Sequence, residues 1–174
     1  MSEKQRDLQD LLEHEVKDLF SAENQLIEAL PKMAKKASDS LLKQAIQEHL
    51  EETKGQAERL QQAMDLLGIN PGRKKCKAMA GLIKEGEEWL EENASKAVKD
   101  AGIIAIAQKV EHYEISGYGS ACYYAEMLGL NEVQQLLSAN LEEEQMADTK
   151  LNDIAKSDVN RQALSTSNKG KKAA

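Results

Sequence analysis

Apolar residues recur at intervals of three and four along most of this chain, and that period limits the folds open to it more than any other feature. Leu8, Leu11, Leu12, Val16, Leu19, Leu26, Ile27, Leu30, Met33 and Ala34 fall on one face of a helix of roughly 30 residues. Pro31 lies inside that stretch, where the ring predicts a kink. Ser38-Asp39-Ser40 reads as a break that supplies an N-cap for the next helix. The second stripe is Leu42, Ala45, Ile46, His49, Thr53, Gln56, Leu60, Ala63 and Leu67, stopped by Gly68 and the turn Asn70-Pro71-Gly72.

A third long stripe begins near Lys96 with Ile103, Ile104, Ala107, Val110, Ile115, Tyr118 and Ala121, and Gly129 closes it. The fourth starts near Asn131 and carries Val133, Leu136, Leu137, Leu141, Leu151 and Ile154. Between the second and third, Ala78 to Leu90 reads as a shorter helix weakened by Gly81 and Gly86, and Trp89 is a packing residue there. With only two prolines and 3% aromatic residues, and with helix formers dominating, strands are not expected. Short turns make each pair of long helices an antiparallel hairpin. The connection of about 30 residues lets the second hairpin join as in a ferritin-like four-helix bundle, all-α, with a long crossover carrying a short extra helix. The bundle is predicted over 1–158. Residues 159–174 turn to Ser, Asn, Gly and Lys and are expected to form a flexible polar tail.

Charge and hydropathy exclude several functions. A net charge of −7 argues against nucleic acid, which needs a basic face. The basic stretch from Arg73 to Lys77 and the tail lysines from Lys169 to Lys172 read as solvated. No apolar run approaches the ~18 residues of a membrane span. The polar opening, Met1 to Asp10, is unlike a signal peptide, so a cytoplasmic protein with Cys76 and Cys122 as free thiols is expected. Lysines flank Cys76, a setting that lowers a thiol pKa, but without a CxxC partner both thiols read as incidental.

Several glutamates sit where solvent-facing residues should not. Glu23 lies four after Leu19 and three before Leu26, and Glu52 lies seven after Ala45. Glu114 lies four after Val110, and Glu111 seven after Ile104. Glu143 and Glu144 follow Leu136 and Leu137 by seven, so the inward register of the last two helices stays open. Glu23 precedes Glu52 by 29 residues and Glu114 precedes Glu143 by 29, a weak internal repeat that places one glutamate on each helix. Buried carboxylates without partners cost several kcal/mol each and repel one another, so protons or cations must offset them. Divalent metal is the expectation, and an oxygen-rich set suits iron or manganese. The alternative is a polar network that hydrogen-bonds between helices or rotates to the rim. The Glu-x-x-His of di-iron bundles is missing, since Gly55 and Met146 stand three after Glu52 and Glu143. His49 reaches the same level from three residues before Glu52, and its counterpart Asn140 is a poor ligand. Tyr118, one turn after Glu114, is a candidate partner for a ligand, whereas His112 reads as a surface or supporting residue and His14 as exposed.

Leu19-Phe20-Ser21-Ala22-Glu23-Asn24-Gln25-Leu26, His49-Leu50-Glu51-Glu52-Thr53 with Gln56, and Cys76-Lys77-Ala78-Met79 with Gly81-Leu82 resemble segments of the YciE/YciF family of bacterial stress-associated proteins. So do Ala107-Gln108-Lys109-Val110-Glu111-His112-Tyr113-Glu114-Ile115 and Leu141-Glu142-Glu143-Glu144 with Asp148 and Leu151. The resemblance runs in order over about residues 8 to 156. It implies a ferritin-like fold, a homodimer and a di-metal centre, but no defined reaction. On this reading two ions, iron or manganese, are held with Glu52 and Glu143 bridging and Glu23 and Glu114 terminal. Glu111, Glu144 and His49 are further ligand candidates. The function expected is a di-metal carboxylate protein of the stress response that oxidises Fe(II) with O2 or peroxide. The alternative is a non-enzymatic helical scaffold or stress-linked binding protein with no functional metal.

Overall fold

Each apolar stripe becomes a helix, and the caps are where the sequence puts them. The computed structural model describes residues 6–171, with side chains through residue 165. The elements in order are α1 (Leu8–Lys36), α2 (Ser40–Leu67), α3 (Lys77–Glu91), α4 (Lys96–Met127), α5 (Asn131–Ile154), a π-helical turn (Ala155–Val159) and α6 (Asn160–Lys171). No strand occurs among the described residues, and no helix is long and apolar enough to cross a membrane. Residues 1–5 of the polar opening and 172–174 of the expected tail lie outside the described residues.

Asp39 starts α2 by accepting the Leu41 and Leu42 N–H groups at 2.9 Å, and Ser95 caps α4 through Val98. Gly68 ends α2 with φ of 68°, a left-handed conformation that a Cβ would strain, and the Ile69 N–H returns to the Met64 carbonyl at 3.0 Å. Pro31 lies inside α1, yet the helix continues through it to Lys36.

The long helices pack in a ring: α1 against α2, α2 against α5, α5 against α4, α4 against α1. One apolar cluster takes Leu26 to Ala37, Leu42 to Ile46, Ile103 to Val110 and Leu151 to Val159. The other takes Leu12 to Leu19, Leu60 to Met64, Tyr118 to Ala125 and Val133 to Leu137. The two clusters mark opposite ends of the bundle, so α1 and α5 run one way and α2 and α4 the other. The crossover must therefore carry the chain back along the whole length of α2, about 42 Å for 28 residues. Helix α3 does this while packed on α4 and α1. Trp89 lies flat over Gly102, where an added Cβ would stand 2.0 Å from the indole, and its Nε1 donates to the Lys99 carbonyl at 3.1 Å.

The start of the crossover is tied down around Cys76. Its N–H donates to Ser21 Oγ at 2.9 Å, its carbonyl accepts from Gln25, and its Sγ lies 3.0 Å from Tyr113 Oη. Tyr113 donates to Asp18, which also pairs with Lys74 at 3.2 Å. Both cysteines are free and buried. Burial and the Asp18 carboxylate push the Cys76 thiol up, opposite to the lowering that the flanking lysines suggest.

Beyond Asp158 the sequence predicts a tail, and the chain instead stays helical to Lys171. The five-residue π turn adds a residue to the helical register and seats Val159 in the core at 2% exposure.

Candidate metal centre

The two apolar clusters do not meet. A layer of polar side chains crosses the bundle between them: Glu23 from α1, His49, Thr53 and Gln56 from α2, Glu111, Glu114 and Tyr118 from α4, and Asn140 and Glu144 from α5. All are 7% exposed or less. Each stands on the apolar face of its helix at a step of three, four or seven from buried residues of that face, so helix packing forces it inward.

His49 is the pivot. Its Nε2 lies 3.5 Å from Glu111 Oε1 and 3.8 Å from Glu144 Oε2, and its Nδ1 lies 3.4 Å from Glu52 Oε2. These are electrostatic approaches without hydrogen-bond geometry. One ligand atom from each of His49, Glu111, Glu114 and Glu144 lies within 4.8 Å of the others. That proximity would let a single cation draw the four side chains together.

Whether the group fits a metal rests on its unsatisfied atoms. Both oxygens of Glu114 and Glu144, one each of Glu23 and Glu111, both His49 nitrogens and the whole Gln56 amide lack a hydrogen-bond partner. Asp100 shows the contrast. It is also buried, at 4% exposure, but its two oxygens accept the Ser38 and Asp39 N–H groups at 2.8 and 2.9 Å. That acid braces the α1–α2 turn. Of the four inward glutamates only Glu23 has a hydrogen bond, from Tyr118 to one of its oxygens, and buried polar atoms are rarely left without a partner. A cation supplies the missing partner for the carboxylate oxygens and for one His49 nitrogen.

The electrostatics agree. Burial, reinforced by the charge of Glu144, raises the Glu23 and Glu111 carboxyls well above the ordinary range. Burial followed by Glu23 and Glu144 does the same to Glu114. For His49 burial pulls the imidazole down, but Glu52 and Glu144 outweigh it and the net shift is upward. Without metal the group therefore holds extra protons, which a divalent ion displaces. Four carboxylates and one imidazole make a hard, oxygen-rich set of the kind iron and manganese take. When bound, such an ion supplies one-electron redox chemistry. The protein's own residues would hold it in a buried layer, where Tyr118 fixes one carboxylate by donating to Glu23 Oε1.

The sequence candidates divide. His49, Glu111, Glu114 and Glu144 come together, with Glu23 buried in the same layer. Glu52 points to the rim with 45% of its side chain exposed and meets only the outer face of His49. Glu143 is half-buried and pairs with Arg59. The reason is one residue of phase: Glu52 and Glu143 precede Thr53 and Glu144, and ~100° of helix rotation turns them away. His112 is 69% exposed beside Asp148, and His14 is exposed. Sequence reasoning did not find the roles of Arg59, Gln56 and Asn140. Arg59 donates to Asn140 Oδ1 and to Glu143, while Asn140 Nδ2 donates to Tyr118 Oη at 3.0 Å and to the Gln56 carbonyl at 3.2 Å. A neutral polar residue on an apolar stripe gives a weak signal, although Asn140 stood in the place matching His49.

An all-α bundle with an acidic layer across its core defines a ferritin-like protein. Residues 7–164 match the family described as a domain of unknown function, DUF892, and the chain belongs to it. It is 45% identical over 157 residues to protein YciF of Escherichia coli, covering 90% of this chain and 95% of that one. The crystal structure of the E. coli stress protein YciF superposes with a TM-score of 0.86 at 44% identity, covering 90% of this chain and 99% of that one. The Rhodopseudomonas palustris protein YcfI gives 0.84 at 46% identity, over 87% and 97% of the two chains. A Xanthomonas campestris protein at 19% identity, covering 92% and 98%, shares the fold with a TM-score of 0.71.

Proposed function

We propose that the polar layer is a redox-metal centre, iron or manganese, which reacts with O2 or peroxide in a bacterial stress response. The observation that carries this reading is the set of buried, unpartnered ligand atoms of His49, Glu111, Glu114 and Glu144 within 4.8 Å. The first ion takes those four residues. Charge supports a second ion beside it: four inward carboxylates balance two divalent cations, and Glu23 with Glu114 supplies shared oxygens. Glu52 and Glu143 leave the bridging role. The name of the E. coli relative, a stress protein, supports the physiological setting, and the homodimer stays part of the reading, to be checked by light scattering.

Anaerobic loading with Fe(II) or Mn(II), followed by desalting and elemental analysis, tests the centre. One to two ions per chain are expected, with saturation at ~1,000 times Kd adding about 4 kcal/mol of stability. That corresponds to roughly 8–16 °C in Tm for a chain of this size. A protein that leaves the column metal-free and melts unchanged would sink the proposal.

A further inference from the structure

The polar layer has an apolar neighbour. A pocket of about 30 Å³ lies among α1, α2, α4 and α5, with Leu30, Ile46, Ala107, Ala147 and Leu151 forming its walls. His49 and Glu111 form its floor. Glu52 and Lys150, each with nearly half its side chain exposed, stand at the solvent end. A water-sized molecule needs ~10–15 Å³ by this measure, so the pocket holds a diatomic molecule and little more.

Ala147 explains why the space exists. It stands three residues after Glu144, where the Glu-x-x-His of di-iron bundles carries its histidine. An imidazole at 147 would occupy the pocket. Here alanine leaves it open, and the imidazole of the cluster comes across from α2 at His49 instead.

We infer that this pocket is a dioxygen chamber, which delivers the gas to the His49–Glu111 side of the metal centre. The inference rests on the proposed function and decides between its two oxidants. Peroxide carries two hydroxyls that find partners only at the two ends of the pocket, at Glu52 and Lys150 and at His49 and Glu111, so its passage along the apolar walls costs hydrogen bonds it made in water. Dioxygen makes almost none and gains from leaving water. The apolar walls thus favour the apolar oxidant over the polar one. A second apolar pocket of about 20 Å³, between α1, α3 and α4, shares Leu30 and Met33 with the first.

Xenon under pressure is the direct probe, because it fills small apolar cavities whether or not metal is bound. Crystals of the full chain, metal-free and metal-loaded, are expected to show one xenon against Ala147 and Leu151, and crystals of Ala147→Leu none. In rapid mixing, Fe(II)-loaded Ala147→Leu is expected to react with dioxygen at least tenfold more slowly than wild type. Its peroxide rate should change less than twofold and its metal content not at all. An absent xenon peak, a pocket filled by ordered water, an unchanged dioxygen rate, or equal slowing with both oxidants each overturns the inference. If the wild type binds no metal, the proposed centre fails on its own assay, and the xenon result still decides whether the chamber exists. Should Ala147→Leu fail to fold, Ala147→Val adds two methyl groups and gives the same readings on a smaller scale.

Discussion

The two hairpins of this bundle are built on one plan and equipped differently. A step of 91 positions carries Glu23 to Glu114, His49 to Asn140, Thr53 to Glu144 and Gln56 to Ala147. The inward acids divide unevenly across that relation. The α1–α2 hairpin contributes Glu23 and His49, while the α4–α5 hairpin contributes Glu111, Glu114 and Glu144. Glu111 corresponds to Phe20, and the buried hydroxyl of Tyr118 to Ile27. Only the Glu23 and Glu114 pair is common to both. A symmetric plan would make two equivalent metal positions. Here one side of the layer has three carboxylates and an imidazole. The other faces the neutral groups Thr53, Gln56, Asn140 and Tyr118. The difference teaches that the second hairpin supplies most of the acidic groups, while the first supplies the one imidazole.

The largest expected effect comes from removing the charge where it is concentrated. Glu111→Ala with Glu144→Ala is expected to abolish bound metal, a loss of at least ~100-fold in affinity, since it leaves only His49 and Glu114 of the four. Thr53→Ala, at the position matching Glu144, is expected to retain wild-type metal content. The pair of variants breaks the comparison if both lose metal equally, as read by elemental analysis. The metal-free double variant should melt higher than metal-free wild type, because two costly buried carboxylates are gone.

Acidity gives the next effect. The carboxyl pKa values of Glu23, Glu111 and Glu114 are raised in the folded chain, chiefly by burial. Such groups bind more protons folded than unfolded, so their contribution is fully present below the ordinary value of 4.5 and is lost as pH rises through the folded values. His49 is also raised and acts in the same direction. Metal-free protein is therefore expected to lose Tm by several degrees between pH 5 and pH 8. Loading with Mn(II) should flatten or reverse that slope, since the ion competes with the same protons. Parallel slopes with and without metal would mean that these carboxylates do not hold it.

His49→Asn makes the first hairpin match the second at this position. A loss of about ten- to a hundredfold in Mn(II) affinity is expected, smaller than for the double glutamate variant because the carboxylates remain. Titration followed by calorimetry measures it.

Much of this was legible in the chain itself. The periodicity of Leu12, Val16, Leu19 and Leu26 implied a long helix, Asp39 and Gly68 implied the ends of α2, and the spacing of Glu23 and Glu114 implied acids in the core. Which acid of a run turns inward was not legible. Leu136 and Leu137 are adjacent, so a step of seven from each licenses both Glu143 and Glu144. Only the packing of α5 between α2 and α4 selects Glu144. Glu52 was misplaced for the same reason, since Thr53 next to it carries no charge to betray its burial. The helical end was hidden because the π turn at Ala155–Val159 changes the period on which such a reading depends.

The smallest expected effect concerns those two displaced acids. Glu52→Gln with Glu143→Gln keeps the shape of both side chains and removes two charges from the rim. Glu52 is exposed and its partner nitrogen faces outward, while Glu143 meets Arg59 at the edge of the layer. Ion pairs at the surface contribute up to ~1 kcal/mol, and the half-buried Glu143–Arg59 pair somewhat more, so Tm is expected to move by no more than several degrees. Bound metal should stay at wild-type stoichiometry, with His49 still reaching Glu111 and Glu144 through its other nitrogen. If metal falls by half or more while Glu144→Thr retains it, the ligand register lies one residue earlier on both helices, and the two hairpins are alike after all.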